Sequence, residues 1–220
     1  MKIPEITAWP SSIHAAKVLQ ETLSCRVVRR DHFQTIHTVA GVDVGFEDGN
    51  TITRAAVVAF GFPSLVVLEE VIARRPTSFP YVPGYLSFRE LPAVLDALKQ
   101  LTVTPDLLLC DGQGIAHPRR FGIAAHLGVL TDLPSIGVAK SILVGTHDDV
   151  PEERGAWRLL RHREECVGAA VRTRIKTRLI YVSVGHRISL EAAIDYVMRC
   201  TTKYRLPETT RYADKLASSR

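Results

Sequence analysis

The chain has 220 residues, 46% of them hydrophobic and 23% charged, with a net charge of +5. That composition supports a sizeable core and excludes a disordered chain, while the positive balance favours a polyanionic partner without requiring one. No apolar run approaches the ~20 residues of a bilayer span, and the opening MKIPEITAWPSS, broken by Pro4 and Pro10, lacks the apolar core of a signal peptide. Four cysteines (Cys25, Cys110, Cys166, Cys200) form no CxxC pair, so neither a zinc site nor a disulfide framework is suggested. The expectation is a cytoplasmic protein with no membrane contact, folded as a single domain over 1–220.

In chain order, the spacing predicts a helix over 11–29, capped by Ser11 or Ser12. Three strands follow, Ile36–Phe46, Ile52–Phe60 and Leu65–Ala73, the last two joined by Gly61-Phe62-Pro63-Ser64. Then the period changes. Leu91, Val94, Leu95 and Leu98 mark a helix over Phe88–Leu101. Asp106–Cys110 reads as a short apolar strand with Cys110 as a buried thiol, Gly122–Leu130 as a helix and Pro134–Ala139 as a strand. Gly145–Glu165 is the least legible stretch, either loop or short helix. Cys166–Val171 and Leu179–Val184 form a second candidate hairpin, Ser189 caps a helix, and Pro207–Ala217 makes the last one. A meander followed by alternating helices and strands predicts an α/β fold: one mixed sheet, antiparallel in its first part and parallel after it, flanked by helices.

Three acids occupy telling places. Asp43 interrupts the apolar strand VAGVDV, Asp111 follows LLLC, and Glu90 sits in the first turn of the helix between them. A carboxylate at the end of a buried strand must be paired or must hold a metal. All-oxygen ligands without a His or Cys cluster favour Mg²⁺ or Mn²⁺. Each acid also has a plainer use: a capping box of Ser87 with Glu90, backbone hydrogen bonds at a bulge for Asp43, and a turn start before Gly112 for Asp111. The metal assignment rests on the three together.

Asp111-Gly112-Gln113-Gly114-Ile115-Ala116-His117 lacks the third glycine of a dinucleotide fingerprint, and no P-loop is present. His117 is either a phosphate contact or a turn histidine. Arg119 and Arg120 at a helix start oppose its dipole, which an anion or solvent would relieve. In PYVPGYLSFRE, Pro80 and Pro83 stiffen a loop that presents Tyr81, either as a packed corner or as a probe.

The segments VAGVDVGF, TRAAVV, PYVPGYLSFRE, DGQGIAHPRRFGIAAHLGVL, PSIGVAKS, GHRIS and YRLPETTRYAD together resemble the endonuclease V family, from about Gly41 to Asp214. The first 35 residues and the stretch from Gly145 to Arg178 match poorly. The resemblance implies a ribonuclease H-like fold and a Mg²⁺-dependent endonuclease, with Mn²⁺ able to substitute. The implied substrate is DNA containing deoxyinosine, cut at the second phosphodiester 3′ to the lesion to leave 3′-hydroxyl and 5′-phosphate ends. It assigns metal ligation to Asp43, Glu90, Asp111 and Asp214, and a place beside the scissile phosphate to Lys140. It makes Tyr81 a duplex wedge and gives the flipped base a pocket of Gly84, Leu86, Gly112, Gly114, Gly122 and Ile123. A backbone donor near Gly84 or Gly112 would select the hypoxanthine oxygen. The alternatives are an inosine-specific ribonuclease of the same chemistry and a metal-free binder of distorted nucleic acid; no protein partner is implied. Arg172, Arg174, Lys176 and Arg178 alternate as they would on one face of an extended segment, either touching phosphates or solvated at a hairpin tip. His126 on its apolar helix reads as a satisfied core histidine. His186 and Arg187 serve either packing or DNA contact.

Overall fold

Strand β2 (Ile52–Gly61) is buried without interruption from Thr53 to Phe60, the pattern of a strand covered on both faces. It pairs antiparallel with β1 (Thr38–Glu47) on one side and β3 (Val67–Pro76) on the other, which is the predicted meander. The computed structural model describes Ile3, Ile6 and residues 8–218; Pro4 lies outside them. Beyond β1 come β4 (Leu107–Asp111), β5 (Ser135–Ala139), β6 (Trp157–His162), β7 (Glu165–Val171) and β8 (Ile180–His186). The eight strands form one sheet in the order β3-β2-β1-β4-β5-β8-β7-β6. The β1–β4 and β4–β5 pairs are parallel and the others antiparallel. This is the expected ribonuclease H-like mixed sheet.

Helices cover both faces. On one face α2 (Leu86–Gln100) and α3 (Ile123–Thr131) bury Leu91, Val94, Leu98 and Leu127 against Val42, Leu108 and Cys110. On the other, α4 (Leu190–Arg199) and α5 (Glu208–Ser218) close over Val39, Leu109, Val182 and Val184. No helix among the described residues is long and apolar enough to cross a membrane.

Three expectations need correction. Helix α1 spans Ile13–Ser24, capped by Ser12, which accepts the Ala15 N–H at 3.2 Å; it stops five residues short of Arg29. Beyond it the Val28 backbone is taken by the end of β8, its N–H donating to His186 Nδ1 and its carbonyl accepting from the Arg187 N–H. The stretch from Gly145 to Glu165 holds strand β6. Its sequence WRLLRH hides it because only Leu160 is buried on this sheet-edge strand. No capping box forms: α2 begins at Leu86 with Tyr85 as N-cap, and Ser87 lies inside the helix with its hydroxyl 3.0 Å from His126 Nδ1.

Candidate metal and nucleic-acid site

Strand register builds the site. The parallel β1–β4 ladder ends on Val42 opposite Cys110, so the next residue of each strand is an acid, Asp43 and Asp111. One strand further, Asp111 lies opposite Val138 of β5, and Lys140 follows that strand directly. The row sits at the carboxyl ends of the parallel strands, where open α/β sheets bind ligands.

Helix α5 brings a third acid. Side chains alternate along a strand, so Gly41, Asp43 and Gly45 share one face of β1. A Cβ on Gly41 would lie 2.0 Å from the Thr209 carbonyl oxygen, and one on Gly45 2.4 Å from that of Ala217. The two glycines therefore let α5 rest its backbone on the strand on either side of Asp43. Asp214 belongs to the same helix, between those two contacts. Single carboxylate oxygens of Asp43, Asp111 and Asp214 all lie within 4.8 Å of one another. Glu90 stands outside this trio but close enough to feel the Asp111 charge.

The electrostatics are those of crowded anions. Burial and then the Asp111 charge push Asp43 up to about 8, although the Val44 N–H bonds its Oδ1 at 2.8 Å. That local bond, with β1 and β2 in unbroken register, replaces the bulge suggested for Asp43. Burial and Asp111 likewise raise Glu90 to about 8. Asp111 is raised by burial despite its pairing with Lys140. Lys140 Nζ lies 2.5 Å from Asp111 Oδ2 and 2.9 Å from Asp214 Oδ1. Burial lowers the lysine's pKa, but its bonds to the two carboxylates outweigh this and hold it above its usual range. Asp111 Oδ2 is buried, and its partner is the Lys140 ammonium. Three mutually repelling carboxylates whose oxygens lie this close, with one ammonium between them, suit a divalent cation of the Mg²⁺ or Mn²⁺ class. The donor set fits the ion that the sequence implied.

Beside the acids opens a cavity of about 380 Å³. Gly84, Leu86, Gly112, Gly122 and Ile123 line it, together with Glu90, Asp111 and Lys140. Gly114 does not. It is buried where a Cβ would strike the Val184 carbonyl, and its N–H donates to Ser183 Oγ, so it is a packing residue. Gly112 lines the cavity, but its N–H is engaged by the Val138 carbonyl at 3.2 Å and is not free for a ligand. The N–H of Ile123, in the first turn of α3, has no acceptor within its helix.

His117 also lines the cavity, buried, with both ring nitrogens engaged. Nδ1 accepts the Arg119 N–H at 3.2 Å, so Nε2 carries the proton and donates to the Gly84 carbonyl at 3.0 Å. Burial, then the nearby arginines, lower it to about 4. It is a neutral turn histidine with no nitrogen left for a phosphate. Arg119 donates to Gln20 and Gly84 and stacks on Tyr85 at 4.1 Å, while Arg120 pairs with Glu165 at 2.6 Å. The charge of Arg120 is met by Glu165, and the donors of Arg119 are spent on neutral acceptors inside the protein.

The Gly84 carbonyl, at a positive φ of 81°, receives three donors: Gln20 Nε2 at 3.0 Å, His117 Nε2 and Arg119 Nη2. Sequence reasoning gives Gln20 no role, because it lies in the first 35 residues, outside the segments that carry the resemblance. The available signal was a glutamine on the buried side of α1 with Ala16 and Leu23.

Tyr81 is 69% exposed, between the exposed Pro80 and Pro83. The loop is anchored at both ends, by Phe79 and Tyr85 packed with Phe88, and Arg89 Nη1 donates to the Phe79 carbonyl at 2.8 Å. A packed corner is excluded. His126 is buried, held low at about 3 by burial, and bonded to Ser87, as expected of a core histidine. His186 and Arg187 are structural, sharing Asp132 between them. The 172–179 segment is a turn rather than an extended strand, and Arg172 closes it by donating to the Thr177 carbonyl.

Comparison with known proteins matches residues 21–215 to the sequence profile of endonuclease V. The endonuclease V of Roseiflexus castenholzii is 63% identical over 96% of this chain and 94% of its own. The crystal structure of that of Streptomyces avermitilis superposes with a TM-score of 0.92, at 42% identity over 99% of this chain and 96% of that one. A Ciona intestinalis endonuclease V, solved with a 24mer DNA containing an inosine followed by a ribo-adenosine, has a TM-score of 0.81 and 29% identity over 93% and 95% of the two chains.

Proposed function

The chain belongs to the endonuclease V family, and from that premise we propose that it is a Mg²⁺-dependent DNA repair endonuclease of the cytoplasm. Its substrate is DNA carrying deoxyinosine, cut at the second phosphodiester 3′ to the lesion to leave 3′-hydroxyl and 5′-phosphate ends. The observation that carries this reading is the convergence of Asp43, Asp111 and Asp214, with Asp111 also lining the adjoining cavity.

Asp43, Asp111 and Asp214 would hold the ion, with Glu90 as a further carboxylate beside Asp111. The chemistry supplied by the bound ion is neutralisation of charge on the phosphate oxygens under attack. Holding it requires Asp43 and Glu90 to give up their protons. Lys140, 40% exposed at its side chain, offers an ammonium to the phosphate at the same point. Extruding a base costs a few kcal/mol. Tyr81, held outward on its stiff loop, recovers about 1–3 kcal/mol of that by stacking on the opened duplex. In the cavity a free backbone donor favours the hypoxanthine oxygen over the adenine amino group. Ile123 and Gly84 are the positions for that donor, Gly112 being engaged.

The test is nicking of a duplex with one deoxyinosine in Mg²⁺, beside an undamaged duplex and an inosine-containing RNA. The expected product is one nick, one nucleotide beyond the lesion, lost in Asp43→Ala. Parental cutting by Asp43→Ala, or equal cutting of the undamaged duplex, overturns the reading. The RNA arm is included because the Ciona complex carries a ribonucleotide after its inosine. Preferential cutting there would make the protein an inosine-specific ribonuclease of the same chemistry.

A further inference from the structure

Two loops at the catalytic edge of the sheet carry five cations that the proposed chemistry does not use. Arg174, Lys176 and Arg178 lie on the turn between β7 and β8, and Lys203 and Arg205 on the loop between α4 and α5. The loops are stitched together. Thr173 Oγ1 donates to the Arg205 carbonyl at 2.6 Å, Arg174 Nη1 to the Lys203 carbonyl at 2.7 Å, and Arg205 Nη1 to the Leu179 carbonyl at 3.2 Å. None of the five forms an ion pair among the described residues. The neighbouring acid, Glu152, is taken by Arg172 at 3.4 Å. Like charges are thus gathered at a cost that an absent anion would relieve. Between them stand Ile175 and Tyr204, 53% and 44% exposed. Cations interleaved with exposed aromatic and apolar side chains suit a nucleic-acid strand better than an acidic protein.

The ridge abuts the carboxylates. Tyr181, just after the turn, pairs with Ala139, the residue before Lys140. Arg205 is near enough to Asp111 to feel its charge. Residues of α2 and α3 line the cavity with Asp111, and the same Asp111 is the acid that Arg205 feels, so it links cavity and ridge.

We propose that this ridge is a track for the phosphodiester backbone of the cleaved strand on the 3′ side of the cut. The direction rests on the functional reading above: with the base in the cavity and the cut 3′ to it, the strand crosses the carboxylates and leaves over the ridge.

The test uses Arg178→Gln/Lys203→Gln, because neither side chain makes a hydrogen bond whose loss would unfold the loops. Arg30→Gln, exposed in the segment whose Val28 and His32 bond the far end of β8, controls for charge. Affinity for a deoxyinosine duplex is measured with Ca²⁺ in place of Mg²⁺, with a long and a short 3′ arm. Each phosphate contact costs about 3.5-fold in affinity between about 50 and 200 mM salt. The salt-induced loss should therefore be about 12-fold smaller in the double variant than in the parent. Shortening the 3′ arm should weaken the parent and barely affect the variant, while Arg30→Gln follows the parent. A parent that nicks at the lesion while the double variant keeps the parental salt slope and arm dependence overturns the ridge alone. A parent that neither prefers nor nicks the deoxyinosine duplex overturns the functional reading, and the ridge with it.

Discussion

Gly41→Ala tests how the third carboxylate reaches the site. The added methyl would lie 2.0 Å from the Thr209 carbonyl oxygen, and ordinary contact begins near 3.4 Å. The obstacle is backbone, so α5 must back away by about 1.4 Å. Overpacking of this kind costs roughly 1–3 kcal/mol of stability, which a folded domain survives. The same movement carries Asp214 away from Asp43 and Asp111 and breaks its 2.9 Å contact with Lys140. A displacement of about 1 Å in a reacting geometry costs on the order of 10²-fold in rate. The assay is single-turnover nicking of a deoxyinosine duplex across a Mg²⁺ titration, with circular dichroism to confirm folding. Gly41→Ala should need more Mg²⁺ and cut about 10²-fold more slowly, although it touches neither ion nor DNA. Gly45→Ala should act the same way, through Ala217. In an Asp214→Asn background the glycine change should add little, because the group it displaces is already gone. Parental rate and Mg²⁺ requirement in folded Gly41→Ala, or full additivity with Asp214→Asn, would refute the reasoning.

Two further outcomes follow from the site. In chelator, folded Asp43 keeps a proton up to about pH 8, while the unfolded chain releases it near 3.8. Unfolding therefore releases a proton between those values, and the stability contributed by the protonated form declines as pH rises. Asp43→Asn, which cannot titrate, should gain in melting temperature over the parent from about pH 4 to pH 8; a flat difference argues against the buried, crowded carboxylate. Tyr81→Ala should leave stability within about 0.5 kcal/mol, since the ring is exposed. It should weaken lesion binding by about 1–3 kcal/mol with Mg²⁺ affinity unchanged; a lower melting temperature, or undiminished binding, would return Tyr81 to a structural role.

The strands and their acids were legible because burial on both faces writes long apolar runs, and a carboxylate stands out within or at the end of one. Asp43 after VAGV and Asp111 after LLLC are the clearest cases. Legibility failed where a residue's partner is distant in the chain. Ser87 followed by Glu90 looks like a cap, yet its hydroxyl turns inward to His126 across two packed helices. Gly112 and Gly114 look alike, but one borders the cavity and the other is pressed against β8. Strand β6 left little signal because a sheet edge buries one of its faces poorly. The glycines beside Asp43 were visible, but their purpose depends on a helix some 170 residues later in the chain.

The Gly84 carbonyl ties the amino-terminal helix, the His117 turn and Arg119 to a single peptide. None of those three tethers reaches the carboxylates on β1, β4 and α5. The cavity wall at Gly84 and the acid cluster meet through Asp111 but lean on different parts of the chain. Under the proposed function, injury to α1 should therefore loosen the grip on the base before it disturbs the hold on the ion.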